Sequence, residues 1–103
     1  MKMMNKNKDM NNNERKKLRK IADKLSDAVS AMLMDIQEVV QGFADNEQEK
    51  IDNMPENLQY GERAERMREY VDALEGVCYD IDNMISEIDD VATSINDIAD
   101  DSI

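Results

Sequence analysis

Three rows of apolar residues, each with a seven-residue repeat, run through the second half of the chain. The first row is Met67, Leu74, Ile81, Ile88, Ile95, the second is Ala64, Val71, Cys78, Ile85, Ala92, Ala99, and the third is Tyr70, Val77, Met84, Val91, Ile98. A seven-residue repeat is typical of helices that pack along their whole length. Two rows suffice for a narrow coiled coil, whereas three rows give a face wide enough for more than one neighbour. We therefore predict a long helix over about 62–100.

The first half of the chain has an apolar stripe of its own, with gaps of three, four and one that average near 3.6 residues. It contains Leu18, Ile21, Ala22, Leu25, Ala28, Val29, Met32, Leu33, Ile36, Val39, Val40 and Phe43. This spacing predicts one continuous helix over about 14–52. An eleven-residue recurrence, as in Leu18, Val29 and Val40, favours a nearly straight helix. Asn13, just before Glu14, is a suitable N-cap.

The stretch 53–61 is the convincing break between the two patterns. Pro55 disfavours helix at Met54, and Asn57 and Gly61 are typical turn residues. We therefore predict an all-α fold, a long antiparallel two-helix hairpin that resembles a coiled coil, over 13–103. Folding at this turn places Leu18 near Ile95, Leu25 near Ile88, Met32 near Ile81 and Val39 near Leu74. Residues 1–12 are polar and without period, which predicts a disordered tail.

A lone hairpin would leave part of the three-row apolar face exposed to solvent. We therefore expect two hairpins to pair as a homodimer, which makes a four-helix bundle. The residues expected in that oligomer core are Leu25, Met32, Ile36, Leu74, Ile81, Ile88 and Ile95. The alternative is that the exposed strip binds a different protein.

Charge is distributed very unevenly along the chain, whose formal net charge is −11. Residues 1–24 carry nine Lys and Arg against three Asp and Glu, and the remaining 79 residues carry four against twenty-one. A chain this acidic has no general basic surface for nucleic acid. In the hairpin, the basic cluster Arg15, Lys16, Lys17, Arg19, Lys20 would lie beside the acidic end Asp97, Asp100, Asp101. Those charges would attract and help to set the register.

The segment 69–101 holds eleven Asp and Glu and no Lys, Arg or His. All eleven fall on heptad positions outside the three apolar rows, as solubility alone would require. Solubility does not explain the unmixed sign, since i, i+4 pairs of opposite charge stabilise a helix and like pairs destabilise it. This pattern favours a surface that imitates phosphates or docks on a basic cleft.

Catalytic side chains are scarce. The chain has no His, which removes His-based catalysis and the usual zinc sites. Cys78 falls in an apolar row, which predicts a buried structural thiol. We expect no enzymatic activity, no cofactor, no metal, no small-molecule substrate and no membrane contact. No signal-type segment or apolar run of membrane-spanning length is evident, so we expect a soluble cytoplasmic protein.

The stretch NMPENLQYGERAERM at 53–67, followed by an acidic helix, resembles small acidic helical proteins encoded by phages and conjugative elements of Gram-positive bacteria. The family pattern reads Asn-Met-Pro-Glu-Asn-Leu-Gln, then Ser-Glu-Arg-Gly-Glu, then a long Asp/Glu-rich helix. Residues 53–59 match it, whereas Gly61 stands where the family has Ser and Ala64 where it has Gly. The likeness covers most of 14–90, is specific over 53–67 and includes no catalytic residue. It implies an accessory gene of a mobile element, of a kind that often encodes inhibitors of host defence such as anti-CRISPR proteins.

Three functions remain open on the sequence. The first is an inhibitor that binds a basic, nucleic-acid-handling host protein and makes no direct nucleic-acid contact. Its expected contacts are on the acidic face, at Glu69, Asp72, Asp80, Asp82, Glu87, Asp89, Asp90 and Asp97, and at the turn, at Met54, Glu56, Asn57, Gln59 and Tyr60. The second is a structural or adaptor coiled coil that binds a partner helix through its apolar stripe. The third is a nucleic-acid binder that uses residues 2–24.

Overall fold

Every regular element in the described part of the chain is helical. The computed structural model describes residues 10–101. It contains α1 (Asn12–Lys24), a π-helical turn (Leu25–Val29), α2 (Ser30–Asp52), a 3₁₀ turn (Glu56–Leu58) and α3 (Glu62–Ala99). The predicted all-α hairpin is confirmed. The pairing of two hairpins into a bundle stays a prediction.

The chain divides into two compact units. Within the described residues, the first unit combines 10–31 with 85–101, and the second is the hairpin Met32–Met84. Most of the predicted tail, 1–12, lies outside the described residues, and its last residue, Asn12, already belongs to α1.

A capping box starts α1 two residues earlier than predicted. The Asn11 side chain accepts a hydrogen bond from the Glu14 backbone N–H at 2.9 Å, and the Glu14 carboxylate accepts one from the Asn11 N–H at 3.1 Å. Asn11 is therefore the N-cap. This reciprocal pair satisfies two backbone donors that the helix start would otherwise leave without partners.

The π-helical turn interrupts the helix that the sequence predicted to be continuous. The Ser30 N–H donates to the Leu25 carbonyl, five residues back, and the Ser30 hydroxyl donates to the same oxygen at 3.2 Å. Such a turn inserts one extra residue into an α-helix. Ser30 is 4% exposed, a buried polar side chain whose hydroxyl is satisfied locally.

The extra residue changes which side chains of the first helical segments face α3. We call the positions of these side chains inner positions. Buried or half-buried inner positions are Leu18 and Ala22 in α1, Leu25 at the start of the π-helical turn, and Ser30, Leu33, Gln37, Val40, Ala44, Glu47 and Ile51 in α2. Their spacing alternates between three and four, except for one step of five from Leu25 to Ser30, within which Val29 is half-buried.

The predicted stripe is confirmed at only part of its length. Leu33 and Val40 are half-buried as expected, whereas Met32, Val39 and Phe43 are 58–60% exposed. The other exposed members of the stripe are Ile21, Ala28 and Ile36. Met32 and Val39 are therefore not packed in the interior, as their expected pairings with Ile81 and Leu74 required.

On α3, two of the three apolar rows face inward and the third does not. All members of the rows that begin at Ala64 and Met67 are buried or half-buried. All members of the row that begins at Tyr70 are exposed, from 41% at Ile98 to 58% at Tyr70. One solvent-exposed apolar row, as expected for a lone hairpin, is thus confirmed.

The second unit is closed at its turn by a small apolar cluster. Ile51, Met67 and Val71 are buried together, and Met54 packs against them. The Gln59 side chain donates to the Met54 carbonyl at 3.0 Å, and Arg68 donates to the Gln59 carbonyl at 2.8 Å. These bonds hold the turn between α2 and α3.

In the first unit, two arginines of α1 bind the C-terminus of α3. Arg15 and Arg19 both donate to the Ala99 carbonyl, at 2.9 and 3.2 Å. Arg19 also forms an ion pair with Asp100 at 2.9 Å. Cations at this end satisfy free carbonyls and oppose the negative end of the helix dipole. The predicted attraction between the basic cluster and the acidic end is confirmed for Arg19 and Asp100.

Candidate protein-binding surfaces

The acidic face consists of the eleven Asp and Glu of 69–101, nine on α3 and two, Asp100 and Asp101, directly after it, and all of them are exposed. In the second unit the predicted contacts among them are Glu69, Asp72, Asp80 and Asp82. In the first unit they are Glu87, Asp89, Asp90 and Asp97. Because the two inward rows take the packing contacts, these carboxylates remain directed to solvent.

Asp82 differs from the other predicted acidic residues because it has an intrachain partner. The Gln37 side-chain amide donates to the Asp82 carboxylate at 2.7 Å and to the Cys78 carbonyl at 2.9 Å. The Cys78 thiol in turn donates a hydrogen bond to the Gln37 carbonyl oxygen, at a sulfur–oxygen distance of 3.7 Å. Gln37 is not among the residues predicted from the apolar pattern because it is polar. Its position, seven residues after Ser30 and seven before Ala44, was the available signal.

Acidic and amide side chains line one side of the second unit. A shallow groove of about 740 Å³ lies there, bordered by Glu38, Asp45, Asp82, Gln37 and Gln41 among others. Gln41 donates to Asp45 at 3.0 Å. Helix α2 thus adds carboxylates beside those of α3. We call this the polar side of the second unit.

The opposite, apolar side carries large exposed side chains from both helices. Phe43, Tyr70 and Val77 line one groove of about 430 Å³ together with Ala73 and half-buried Leu74. By helical spacing, the exposed rows of both helices continue along this side. We define the apolar face as seven side chains that are 45–60% exposed: Met32, Ile36, Val39, Phe43, Tyr70, Val77 and Met84.

The residues predicted for an oligomer core divide between this face and the interior. Met32 and Ile36 belong to the apolar face. Ile81 is buried, and Leu25, Leu74, Ile88 and Ile95 are half-buried inside their units. The structure therefore does not bring the seven together on one surface.

The predicted turn contacts also divide into two groups. Met54 and Gln59 are half-buried and hold the turn itself. Glu56 and Asn57 are exposed, and Tyr60 is 85% exposed. Leu58, which is not among the predicted contacts, is 53% exposed next to them. The turn therefore offers an aromatic, an aliphatic, an amide and a carboxylate side chain to a partner.

Other kinds of site find little support in the described residues. Within 10–101, no three His, Cys, Asp or Glu side chains are grouped closely enough to hold a metal ion. No helix in that range combines the length and apolarity needed to cross a membrane. Cys78 is a free, buried thiol. Comparison of the chain with family models, with curated proteins and with solved structures gave no match.

Proposed function

We propose that this chain is a non-enzymatic, protein-binding inhibitor that acts in the cytoplasm on a basic, nucleic-acid-binding host protein. The observation that carries the proposal is the acidic face: eleven exposed carboxylates on one helix and the turn that follows it, with no Lys, Arg or His among them. Such a surface attracts a positively charged cleft and competes with nucleic acid for it.

The charge density of this face approaches that of a nucleic-acid strand. At the standard rise, residues 69–101 extend about 50 Å, so the eleven acids give roughly one charge per 4.5 Å. A DNA strand carries one phosphate per about 3.4 Å. A cleft that neutralises phosphates with Lys and Arg would therefore meet a similar number of charges on this helix.

An acidic face of one sign also lowers the stability of the helix that carries it. Like charges at i, i+4 cost up to about 0.5 kcal/mol per pair. Carboxylates near a helix C-terminus are further opposed by the dipole, and here Arg15 and Arg19 bind the last carbonyls. The chain tolerates that cost, which supports use of the unmixed charge in binding.

The host context of the proposal comes from the resemblance at 53–67. It is the basis for an origin in a phage or conjugative element and for an anti-defence role of the anti-CRISPR kind. In this proposal Glu56, Asn57 and Tyr60 at the turn form a second contact, since loops commonly carry binding residues.

Isosteric neutralisation of the acidic face tests the proposal. The variant would carry Asp72→Asn, Asp89→Asn, Asp90→Asn and Asp97→Asn, which leaves Asp82 and its Gln37 bond in place. The probe is the heparin-binding protein fraction of a Gram-positive lysate, passed over the immobilised chain. We expect the wild type to retain proteins that a DNA oligonucleotide displaces, and the variant to retain at least about tenfold less, because each lost pair weakens a salt-sensitive contact.

Two results would oppose the proposal: equal retention by the variant, or proteins that DNA fails to displace. Circular dichroism of the variant checks that its helices persist. An RNA-guided nuclease recovered in this way would then be assayed for DNA cleavage with and without the chain, and inhibition is expected.

A second candidate function is an adaptor coiled coil that binds a partner helix through the apolar face. The exposure of seven large apolar side chains favours it, because such patches mark interaction surfaces. Apolar binding depends little on salt, whereas binding by the acidic face weakens as salt screens it. Retention that persists in 1 M NaCl would therefore favour the adaptor.

A further inference from the structure

We propose that the apolar face is the contact surface for a second copy of this chain. In this dimer the two α3 helices lie antiparallel, and a two-fold axis passes beside Ala73. The inference does not depend on the proposed function, because among the predicted acidic contacts it engages only Asp80.

Several of the largest apolar side chains of the second unit are exposed. Of its twelve buried or half-buried inner positions on α2 and α3, four are occupied by Gln37, Ala44, Glu47 and Ala64. The apolar face meanwhile exposes Phe43, Tyr70, two Met, two Val and an Ile. Burial of large apolar groups is favourable. Association of two copies would bury these groups, which a single copy leaves in water.

The stripe of α3 on this side is complementary to itself. Arg66, Tyr70, Ala73, Val77 and Asp80 are spaced by four, three, four and three residues, so they lie along one line of the helix. Antiparallel pairing about Ala73 places Arg66 opposite Asp80 and Tyr70 opposite Val77. The small Ala73 at the centre allows the helices to approach closely. A two-fold interface requires such self-complementarity, because a contact between residue i of one copy and residue j of the other is repeated between residue j of the first and residue i of the second.

The charges at the ends of this stripe have no intrachain ion pair among the described residues. The ion pairs in the range 10–101 are Arg19–Asp100 and Lys50–Glu47. Arg66 and Asp80 are both exposed. They are therefore available to form two symmetric pairs at the rim of the dimer, which would set its antiparallel direction.

The available area suits a dimer of ordinary size. The seven side chains of the apolar face present roughly 700 Å² per copy, close to the roughly 800 Å² per partner that a standard interface buries. An interface of that size with well-packed aromatic groups gives dissociation constants in the micromolar range or below.

Sedimentation equilibrium of the full chain tests the surface. We expect a dimer at about 100 µM, and Val77→Asp should raise the dissociation constant at least about 100-fold because it would bury an unpaired carboxylate. The matched control is Met34→Asp, which places the same charge on an exposed Met of the polar side. A monomeric wild type, or equal effects of the two variants, would overturn the proposal.

A charge exchange tests the arrangement. Arg66→Asp alone and Asp80→Arg alone should each weaken the dimer about tenfold, because each brings like charges together. The double variant should restore the wild-type dissociation constant. If the loss of dimer affinity in the double variant equals the sum of the losses in the two single variants, the antiparallel pairing is overturned.

Crosslinking tests the position of the axis. With oxidised glutathione as oxidant, Ala73→Cys should form an intermolecular disulfide between two copies, whereas Met34→Cys and the wild type with its buried Cys78 should not. Two thiols on a two-fold axis lie within disulfide reach. Absence of crosslinked Ala73→Cys dimer, with dimerisation intact, would place the axis elsewhere and refute the model.

Discussion

Deletion of Ala28 is the sharpest test of how the first half of the chain fits against α3. Inner positions run Leu18, Ala22 and Leu25, the first residue of the π-helical turn, and resume at Ser30 after a step of five. Removal of one residue shortens that step to four, which an ordinary α-helix accommodates. Leu33 and the later inner residues then keep their inward positions. Ala28 is exposed, so its loss empties no core site.

The expected effect on stability is small. The π-helical turn should become α-helix, and the Ser30 hydroxyl can still bond the Leu25 carbonyl, now four residues back. We expect the free energy of unfolding to stay within about 1 kcal/mol of the wild type, or to rise, because hydrogen bonding in an α-helix is more regular than in a π turn.

The matched control deletes Asn83, another exposed and uncharged residue, from α3. Each α-helical residue turns the chain by about 100°. The deletion therefore replaces Ile85, Ile88 and Ile95 at inner positions by their neighbours Ser86, Asp89 and Asn96. Partial burial of three Ile side chains is lost at about 1 kcal/mol or more each, so we expect a loss of at least about 3 kcal/mol.

Urea unfolding followed by far-ultraviolet circular dichroism, at one protein concentration, measures both variants. The slope with urea should be unchanged for the Ala28 deletion, since the surface exposed on unfolding is the same. If that deletion destabilises the chain as much as the Asn83 deletion does, the one-residue insertion at the π-helical turn is not what sets the packing register.

Three further outcomes follow from the structure. Gly42→Ala and Gly76→Ala should each raise the unfolding free energy by about 0.5–1 kcal/mol in the same urea assay, because each Gly lies inside a helix and a Cβ there meets nothing within 4 Å; Gly61→Ala, at the start of α3, is the control and should give no gain. Ser30→Ala should lower the free energy of unfolding by about 1 kcal/mol, because the hydrogen bond to the Leu25 carbonyl is lost. An unchanged free energy of unfolding would show that the hydroxyl does not support the π-helical turn. Arg15→Gln with Arg19→Gln should cost about 1 kcal/mol at low salt and less in 0.5 M NaCl, with faster amide exchange in the last turn of α3 as the local measure; exchange equal to the wild type would contradict a role for these arginines at that terminus.

The helices, the turn between them and the outward acidic residues could all be predicted from the amino-acid sequence. Seven-residue spacing specifies a helix because side chains seven apart return to the same face. Pro55 and its neighbours specify the break because they oppose helical backbone. The acidic residues of 69–101 all occupy positions outside the apolar rows, so their exposure follows from solvation alone.

The tertiary structure decided which apolar rows are buried. On α3 the row that begins at Met67 is the richest in Leu and Ile, but the rows that begin at Ala64 and Tyr70 are alike in hydrophobicity, so composition cannot select which of these two also faces inward. The choice depends on the opposing helix, whose inner positions include Ser30, Gln37 and Glu47, residues that no apolar pattern marks. The π-helical turn moves those residues inward and turns Met32 and Phe43 outward. The apolar face therefore arises from the fit between two helices, which is a property of the folded pair.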